Sequence, residues 1–233
     1  MTRPIAIIGA MDEEITGLRE HMQIEAEYKQ AGLVFYEGQL AAKPIVLVRC
    51  GVGKVNASIC TQILADRYQP AAIINSGAAG GIHPNVDIGH IAISTTVLHH
   101  DFDTTALGFQ PGSIPFMDSS LFLADTHLVQ LTQAASENVF GAACTHTGLV
   151  VSGDQFISSA EQKQRIGQQF DALCAEMEGA AVAQAAHLND IPFVIIRVIS
   201  DRADASAPEN FAAFLQSVLP GLTRVVETVV EQA

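Results

Sequence analysis

The sequence predicts a single α/β domain over residues 1–233, with a central mixed β-sheet flanked by helices. Short, continuous runs rich in Val and Ile recur along the chain, as is typical of strands covered on both faces. Segments with apolar residues at helical spacing lie between these runs, and strands that alternate with helices form α/β sheets. The 233 residues contain no low-complexity segment, charge block or repeat that would mark an internal boundary.

Six apolar runs are predicted to be buried strands. They are Ile5–Ile8, Ile45–Val48, Ala72–Ile74, His90–Ser94, Leu149–Val151 and Phe193–Ile199. The segment Leu33–Leu40 alternates more, and we expect it to pair with Ile45–Val48 through a turn at Ala41–Pro44. Ligands of α/β folds bind beyond the carboxyl ends of the strands, where the chemically suggestive residues of this chain also fall.

Three helices are predicted from the spacing of apolar residues. The first has an apolar face formed by Val55, Ile59, Ile63 and Leu64. The second is the Ala-rich segment Glu178–Asn189. The third has apolar residues at i, i+3 and i+4 spacing, which are Phe211, Phe214, Leu215, Val218 and Leu222. Pro220-Gly221 interrupts this last helix, so we expect a kink or break there, with Thr223–Glu231 continuing as helix.

The chain is strongly acidic. It has 25 Asp and Glu residues against 12 Lys and Arg residues, so its formal net charge is −13. Such a balance repels phosphate groups, and neither a nucleic acid nor an anionic membrane is expected as a partner. A small, nearly neutral or zwitterionic ligand is compatible with it.

The cysteines and the N-terminal residues indicate a location. No two of the four cysteines form a CxxC pair, and we expect buried free thiols in a reducing compartment at Cys50, Cys60, Cys144 and Cys174. The apolar run Ile5–Ala10 is too short for a secretion signal. No stretch approaches the roughly 20 apolar residues that a membrane span needs. The expected location is the cytoplasm.

Two groups of acidic residues stand where a strand gives way to a helix. Glu14 closes the run Asp12-Glu13-Glu14, and Glu176 and Glu178 flank Met177. Acids in the first turn of a helix complement the helix dipole, so each group has an ordinary structural explanation. A carboxylate such as Glu178 has the alternative of accepting hydrogen bonds from two vicinal hydroxyls, as in a ribose.

The segment Arg197-Val198-Ile199-Ser200-Asp201 is harder to explain by structure alone. Arg197 lies in an otherwise apolar strand, where a charge is costly unless it is paired. A structural ion pair with a nearby acid and a role in a binding site are both open at this point. Asp201 ends the same strand, at a position from which a carboxylate can reach a ligand.

Two further motifs are weaker signals. Gly77-Ala78-Ala79-Gly80-Gly81 is expected to form a loop after a strand, where glycines let the backbone approach a ligand. It lacks the Lys-Ser/Thr of a phosphate-binding loop, and a tight turn explains it equally well. His99-His100-Asp101 lacks a third set of ligands for a metal, so structural or solvated histidines are favoured and no metal is expected.

Taken together, the motifs of this chain resemble those of the 5′-methylthioadenosine/S-adenosylhomocysteine nucleosidases. Six segments match in the family's order, namely Ile7–Glu14, Gly51–Ala57, Ile73–Gly81, Val151–Ile157, Ala175–Ala180 and Arg197–Asp204. The resemblance implies a nucleoside-phosphorylase-like fold and a homodimer. It also implies hydrolysis of both nucleosides, and of 5′-deoxyadenosine, in methionine salvage and without a cofactor.

The resemblance implies roles for individual residues. Asp201 would be the general acid that protonates N7 of adenine, and Glu14 would hold and activate the attacking water. Glu178 would bind the ribose hydroxyls with help from the Met177 backbone, while Arg197 would orient the acids and the water. The other substrate-binding residues would be Phe156 and Ile157 at adenine, Ala78 near the sugar, Ser200 beside the general acid, and Met11, Val52, Met177 and Phe211 around the 5′-thio group.

Two positions depart from the pattern of the family. Ala78 stands where the family commonly has Ser, so a hydroxyl near the sugar and the water is missing. Leu107 stands where the family often supplies an aromatic residue from the partner subunit, and Pro115 matches a second contact across the dimer. These positions bear on the preferred 5′ group rather than on the class of reaction.

Three other functions fit parts of the sequence. Phosphorolysis by the same fold needs cations around a phosphate, whereas the N-terminal site is acidic at Glu14. Cleavage of 6-amino-6-deoxyfutalosine would present the same adenine and ribose, so the polar residues do not separate it from thionucleoside cleavage. A protein that binds nucleosides without catalysis is disfavoured by the complete set of carboxylates.

Overall fold

Ten strands of one mixed sheet and six α-helices make up the described part of the chain. The structure is a computed structural model that describes residues 3–203 and 211–233, without the side chains of residues 211–213, 215 and 216. The strands are β1 (Ile5–Gly9), β2 (Gln23–Gln30), β3 (Leu33–Leu40), β4 (Lys43–Arg49), β5 (Ala72–Gly81), β6 (Ile91–His99), β7 (Phe122–Leu123), β8 (Thr145–Ser152), β9 (Cys174–Glu176) and β10 (Phe193–Asp201). The helices are α1 (Asp12–His21), α2 (Lys54–Tyr68), α3 (Thr126–Phe140), α4 (Ala160–Phe170), α5 (Gly179–Leu188) and α6 (Phe211–Gln232). The predicted α/β fold class with a mixed sheet is confirmed.

Five of the strands close into a ring. β5 pairs with β10, β10 with β6, β6 with β8, β8 with β9, and β9 returns to β5. The strands β1, β4, β3 and β2 extend from β5 as an arm, and β7 pairs with β6. β5 belongs to both parts because residues 72–75 pair with β1, whereas Gly80 and Gly81 pair with β9. The carboxyl ends of several strands therefore meet around the last residues of β5.

The six predicted strands are all present, and the predicted antiparallel pairing of Leu33–Leu40 with the following strand is confirmed. Its turn contains Ala41 and Ala42, both with positive φ. β2 has no predicted counterpart, although Ile24, Ala26 and Tyr28 alternate with polar residues along it. The alternation is weak because Ala26 is small and charged or amide side chains fill the other positions, and in the structure almost all side chains of β2 are exposed.

The glycine cluster at residues 77–81 is part of β5, so the prediction of a loop is wrong. Gly77 lies opposite Arg197, and Gly80 lies opposite both Ala175 and Asp201. A Cβ at position 77 would lie 2.5 Å from Oε1 of Glu14. Glycine is needed there because the strand passes directly against a buried acid. Hydrogen bonds to the strands on both sides keep these residues extended.

The buried face of α2 differs from the predicted one. Ile63 and Leu64 are buried, but Val55 is 69 % exposed and Ile59 is 44 % exposed. The side of α2 that faces the sheet carries the small residues Ala57, Cys60, Thr61 and Ala65. Small side chains allow α2 to lie close to α5, and apolar spacing alone does not reveal a contact made of small residues.

The last helix runs through Pro220 without a break. Of the expected kink or break, the break is therefore wrong, while the continuation of Thr223–Glu231 as helix is confirmed. Pro220 is exposed, while Gly221 faces α3, where a Cβ would lie 2.5 Å from Cζ of Phe140. The missing side chain at Gly221 therefore lets α6 pack closely on α3. Tertiary packing outweighs the local cost of proline within this helix.

Helices cover both faces of the sheet. α2 and α5 pack on one face, and α1, α3 and α6 pack on the other. The four cysteines are free, and three of them are buried whereas Cys144 is partly exposed. Within the described residues, no helix has the length and apolar character that crossing a membrane requires.

We expect Leu64→Ala to lower the free energy of unfolding by about 2–5 kcal/mol, because this side chain is fully buried between α2 and the sheet. The matched control is Leu188→Ala on α5, where the same atoms are removed from a side chain that is 65 % exposed. Chemical denaturation of both variants measures the difference. Equal losses of stability would contradict the buried face described for α2.

Candidate active site

A cavity of about 270 Å³ opens where the strand ends meet. Its lining comes from β5, β9 and β10 and from the segments that follow β1, β4, β8 and β9. The lining residues are Ala10, Met11, Glu14, Val52, Ala78, Ala79, Gly80, Gln155, Phe156, Ile157, Ala175, Glu176, Met177, Glu178, Ser200 and Asp201. Four of them are acids, none more than 7 % exposed, and these described lining residues include no lysine or arginine.

Glu14 is held by three backbone N–H groups. It is the third residue of α1, and its Oε2 accepts hydrogen bonds from the N–H groups of Ala10 (2.7 Å) and Met11 (3.0 Å). Its Oε1 accepts a third from the N–H of Ala78 on β5 at 2.9 Å. Burial raises the pKa of Glu14, although the charge of Arg197 and the three N–H donors oppose the shift. A carboxylate with a raised pKa is a stronger base at neutral pH.

The buried charge of Arg197 is paired with Glu176. Nη2 of Arg197 lies 2.5 Å from Oε2 of Glu176, and both side chains are 2 % exposed. Arg197 also donates to the backbone oxygen of Asn75 at 3.1 Å and to its Oδ1 at 2.5 Å. Asn75 in turn donates to the carbonyl of Ile8 at 2.9 Å, which ties β10 through β5 to β1. Arg197 therefore lies behind the cavity lining and reaches it through Glu176.

Glu176 fixes the beginning of α5. Besides Arg197, it accepts hydrogen bonds from Oγ of Ser152 and from the N–H groups of Glu178 (3.0 Å) and Gly179 (2.8 Å). Burial by itself would raise its pKa, but the charge of Arg197 and these hydrogen bonds outweigh it, so the pKa of Glu176 is lowered. A buried carboxylate with this many donors stays ionised.

The electrostatic environment of Glu178 differs from that of Glu176, which precedes it by two residues. Its Oε1 accepts a hydrogen bond from the N–H of Gly53 at 2.7 Å. Burial and then the negative charge of Glu176 raise the pKa of Glu178 to about 7. Near neutral pH, this carboxyl group therefore populates both protonation states.

Asp201 ends β10 and is 2 % exposed. Its Oδ2 accepts a hydrogen bond from Oγ of Ser200 at 2.8 Å, and its Oδ1 accepts one from the N–H of Ala203 at 2.7 Å. The strand beside it carries Gly80, where a Cβ would come within 3.1 Å of Oδ1 of Asp201. The carboxyl group is thus oriented by two donors in the wall of the cavity.

The structure brings most of the sequence-predicted site residues to one cavity. Met11, Val52, Ala78, Phe156, Ile157, Met177 and Ser200 line it together with Glu14, Glu178 and Asp201. Phe156 and Val52 are 60 % and 51 % exposed, so they form its apolar mouth. Leu107, which is 73 % exposed, and Pro115 lie outside this lining. The side chain of Phe211 lies outside the described residues.

Sequence reasoning missed part of the site. Gln155 lines the cavity, and Asn75 supports Arg197, but neither was singled out as a site residue. Gln155 precedes Phe156 within the segment Val151–Ile157, so its position in that motif could have indicated that it lies at the site. Asn75 is a polar residue within a strand-forming run, and an unpaired amide in such a run is costly. A buried amide at this position therefore indicates that a polar partner lies close to it, and in the structure that partner is Arg197.

The motif His99-His100-Asp101 lies outside the cavity lining. His99 shares a hydrogen bond of 2.9 Å with Oε1 of Gln184, and Asp101 forms an ion pair with Lys54 at 2.6 Å. Burial lowers the pKa of both histidines. Across the described residues, no group of three or more His, Cys, Asp or Glu is arranged to hold a metal ion.

Comparison with known proteins defines the class. The family model of the phosphorylase superfamily matches residues 4–231. A 5′-methylthioadenosine/S-adenosylhomocysteine nucleosidase of Staphylococcus saprophyticus is 40 % identical over 228 residues, covering 97 % of this chain and 99 % of the relative. A relative from Tolumonas auensis with the same name is 38 % identical, covering 98 % of this chain and 99 % of its own length.

Solved structures of nucleosidases from this superfamily superpose closely on the chain. The nucleosidase of Neisseria meningitidis, in complex with methylthio-immucillin-A, superposes with a TM-score of 0.93 at 37 % identity, covering 99 % of this chain and all of that one. A mutant of the Helicobacter pylori protein, with 5′-methylthioadenosine in its active site, has a TM-score of 0.93 at 29 % identity over the full length of both chains. This chain belongs to the 5′-methylthioadenosine/S-adenosylhomocysteine nucleosidase family within the phosphorylase superfamily.

We expect Glu178→Gln to make the protein more stable at pH 8, seen as a melting temperature several degrees higher. The folded carboxyl group keeps its proton up to about pH 7, whereas the unfolded one loses it near pH 4.5. The wild-type protein therefore loses stability as the pH rises through this window, and the variant does not. Glutamine keeps the acceptor for the N–H of Gly53.

Melting curves of both proteins between pH 4 and pH 8 measure this effect, and the advantage of the variant should vanish at the acidic end. Glu25→Gln, at an exposed position on β2, is the control for the substitution itself. A variant that is no more stable than the wild type at pH 8 would show that Glu178 is ionised without cost in the folded protein.

Proposed function

We propose that this chain hydrolyses the N-glycosidic bond of 5′-methylthioadenosine and S-adenosylhomocysteine, releasing adenine and the corresponding 5-thioribose product. The observation that carries the proposal is the cavity, where four buried acids line the wall and the lining contains no lysine or arginine among its described residues. Such a site suits an uncharged nucleoside and a water molecule. Relatives at 38 to 40 % identity over nearly the whole chain carry the name of this activity.

Asp201 is the general acid of the proposed reaction. Adenine is a poor leaving group as an anion, so N7 takes a proton from Asp201 while the bond between C1′ and N9 breaks. General acids typically contribute about 10²–10⁴-fold to a rate. The hydrogen bonds from Ser200 and Ala203 support this role, since they hold the carboxyl group in one orientation at the cavity wall.

Glu14 binds and activates the water. The water oxygen attacks C1′ of the oxocarbenium-like ribose, and its proton passes to the carboxylate of Glu14. Two features support this assignment. The pKa of Glu14 is raised by burial, which favours proton uptake, and three backbone donors fix its position. Glu14 lies in the first turn of α1, after β1, whereas Asp201 ends β10, so a nucleoside between them meets two separate carboxyl groups.

Glu178 binds the ribose hydroxyls, with help from the backbone of Met177. Its position beside Met177 in the lining and its anchoring by Gly53 support the assignment. Arg197 acts on the acids from behind the lining through Glu176, which positions the segment that carries Glu178. This arrangement gives the charged Arg197 an orienting role without contact to the substrate.

The apolar mouth receives the adenine and the 5′-thio group. We assign the stacking surface for adenine to Phe156 and the reading of its edge to the backbone of Ile157. Met11, Val52, Met177 and Phe211 form the 5′-thio pocket, and the partner subunit of a homodimer completes it through Leu107 and Pro115. The exposed apolar residues Val52, Leu107 and Phe156 support a dimer that covers this mouth. We place the reaction in methionine salvage, in the cytoplasm.

Phosphorolysis is the alternative that the fold allows. We expect adenine release from 5′-methylthioadenosine at the full rate in buffer without phosphate, because buried acids at the cavity would repel a phosphate ion. Adenine is measured by chromatography with and without added phosphate, using 5′-deoxyadenosine, S-adenosylhomocysteine and 6-amino-6-deoxyfutalosine as parallel substrates. Strict dependence on phosphate would contradict the assignment of hydrolysis. A higher rate with 6-amino-6-deoxyfutalosine than with 5′-methylthioadenosine would contradict the assigned substrate.

We expect Asp201→Asn and Glu14→Gln each to lower kcat for adenine release by about 10²-fold or more, since each removes a proton-transfer group and keeps its shape. Circular dichroism and melting curves should show that both variants are folded. Asp66→Asn, on the exposed side of α2, is the control and should retain wild-type kcat. Folded variants with near-wild-type rates would contradict the assigned mechanism.

A further inference from the structure

Three polar residues from separate segments form a closed network beside the cavity. Nζ of Lys54 lies 2.6 Å from Oδ1 of Asp101, and Oδ2 of Asp101 accepts a hydrogen bond from the N–H of Asp154 at 2.9 Å. The side chain of Asp154 returns to α2, because its Oδ1 accepts a hydrogen bond from the N–H of Lys54 at 2.8 Å. None of these three residues belongs to the cavity lining. We call Lys54, Asp101 and Asp154 the latch.

The latch joins two segments that line the cavity from different sides. Lys54 follows directly on Val52 and Gly53, and the N–H of Gly53 donates to Glu178. Asp154 precedes Gln155, Phe156 and Ile157, which line the part of the cavity assigned to adenine. Asp101 lies between the two segments and binds both. A displacement of Asp101 would therefore move the partners of the ribose and of the base together.

The surroundings of Asp101 make the latch a built arrangement rather than a chance surface pair. The side chains of Lys54 and Asp101 are only 20 % and 15 % exposed. Gly153 packs so closely on His100 and Asp101 that a side chain at position 153 would collide with the ring of His100. The buried Nε2 of His100 has no hydrogen-bond partner in the described part of the chain. Partial shielding from water strengthens the attraction between the two charges and makes it less sensitive to salt.

We propose that Asp101 is a positioning residue for nucleoside binding, which acts by holding the segment 52–54 against the segment 154–157. The proposal rests on the proposed function, because the bound molecule is the nucleoside that the cavity is assigned to cleave. Asp101 reaches no lining atom itself and takes no part in proton transfer. Its effect falls on substrate affinity, since Glu14 and Asp201 are held by other backbone donors.

The test compares two aspartates that bind backbone N–H groups. Asp101→Ala removes the acceptor for Asp154, whereas Asp125→Ala removes the cap of α3, whose Oδ1 accepts from the N–H of Leu128 at 2.9 Å. Both variants should lose stability, because each leaves a backbone N–H without its acceptor. Only Asp101→Ala should raise KM for 5′-methylthioadenosine, by about tenfold, with kcat changed less than threefold, since misplaced binding groups weaken binding. A KM equal to that of Asp125→Ala would overturn the proposal.

The partner of Asp101 provides a second variant. Lys54→Met removes the charge and keeps the long apolar stem, so it should raise KM for 5′-methylthioadenosine, as Asp101→Ala does. The double variant Lys54→Met/Asp101→Ala should raise KM by less than the product of the two single effects, because both substitutions break the same contact and residues in contact do not act independently. Fully multiplicative effects on KM would show that the two residues act separately and would overturn the latch.

Hydrogen exchange separates this proposal from the proposed function. In Asp101→Ala, the amides of residues 153–157 should exchange faster than in the wild type, while those of α3 stay unchanged. If wild-type protein released no adenine, the proposed function would fail. The latch would then be tested by exchange together with the affinity for adenine, measured by calorimetry. Unchanged exchange at residues 153–157 would overturn the latch whatever the activity.

Discussion

A charge buried in the middle of a strand must be paired, and the pair of Arg197 with Glu176 is the contact on which the site depends. Both side chains are 2 % exposed, so neither is stabilised by water, and breaking one partner would leave the other uncompensated. Arg197 also reaches Asn75 on β5, which binds the carbonyl of Ile8 on β1. The guanidinium therefore links β10 directly to β9 and β5, and through Asn75 to β1, and it neutralises part of an acidic cavity.

The same pair separates the pKa values of neighbouring acids. Glu176 forms the ion pair with Arg197, and its pKa is lowered. Glu178 is buried beside the negative charge of Glu176, and both effects disfavour its ionised form, so its pKa rises to about 7. Glu14 is buried and held by backbone donors, with Arg197 acting on it through space. Carboxyl groups with different environments are what a reaction with separate acid, base and binding roles requires.

Much of the site follows from residue types near strand ends, and some of the fold does not. The buried strands and the helix that begins at Gly179 are readable from apolar runs. The extension of β5 through Gly81 is not, because glycines favour a turn locally and only pairing with β9 and β10 keeps them extended. The buried face of α2 is not readable either, since the small residues Ala57 and Cys60 make the contact while the larger Val55 and Ile59 stay exposed.

By itself, the sequence determined the class of fold and the acidic character, because apolar periodicity and charge are properties of the chain, and its ordered motifs marked Glu14, Glu178 and Asp201 as candidates. Only the tertiary structure decided which acid Arg197 pairs with and which protonation states follow, because a pKa depends on burial and on neighbours distant along the chain. The structure also decided that Asp101 joins Lys54 to Asp154. Asp154 lies next to Asp101 because the strands that precede them, β8 and β6, pair side by side, whereas Lys54 reaches Asp101 from the start of α2, 47 positions earlier in the chain.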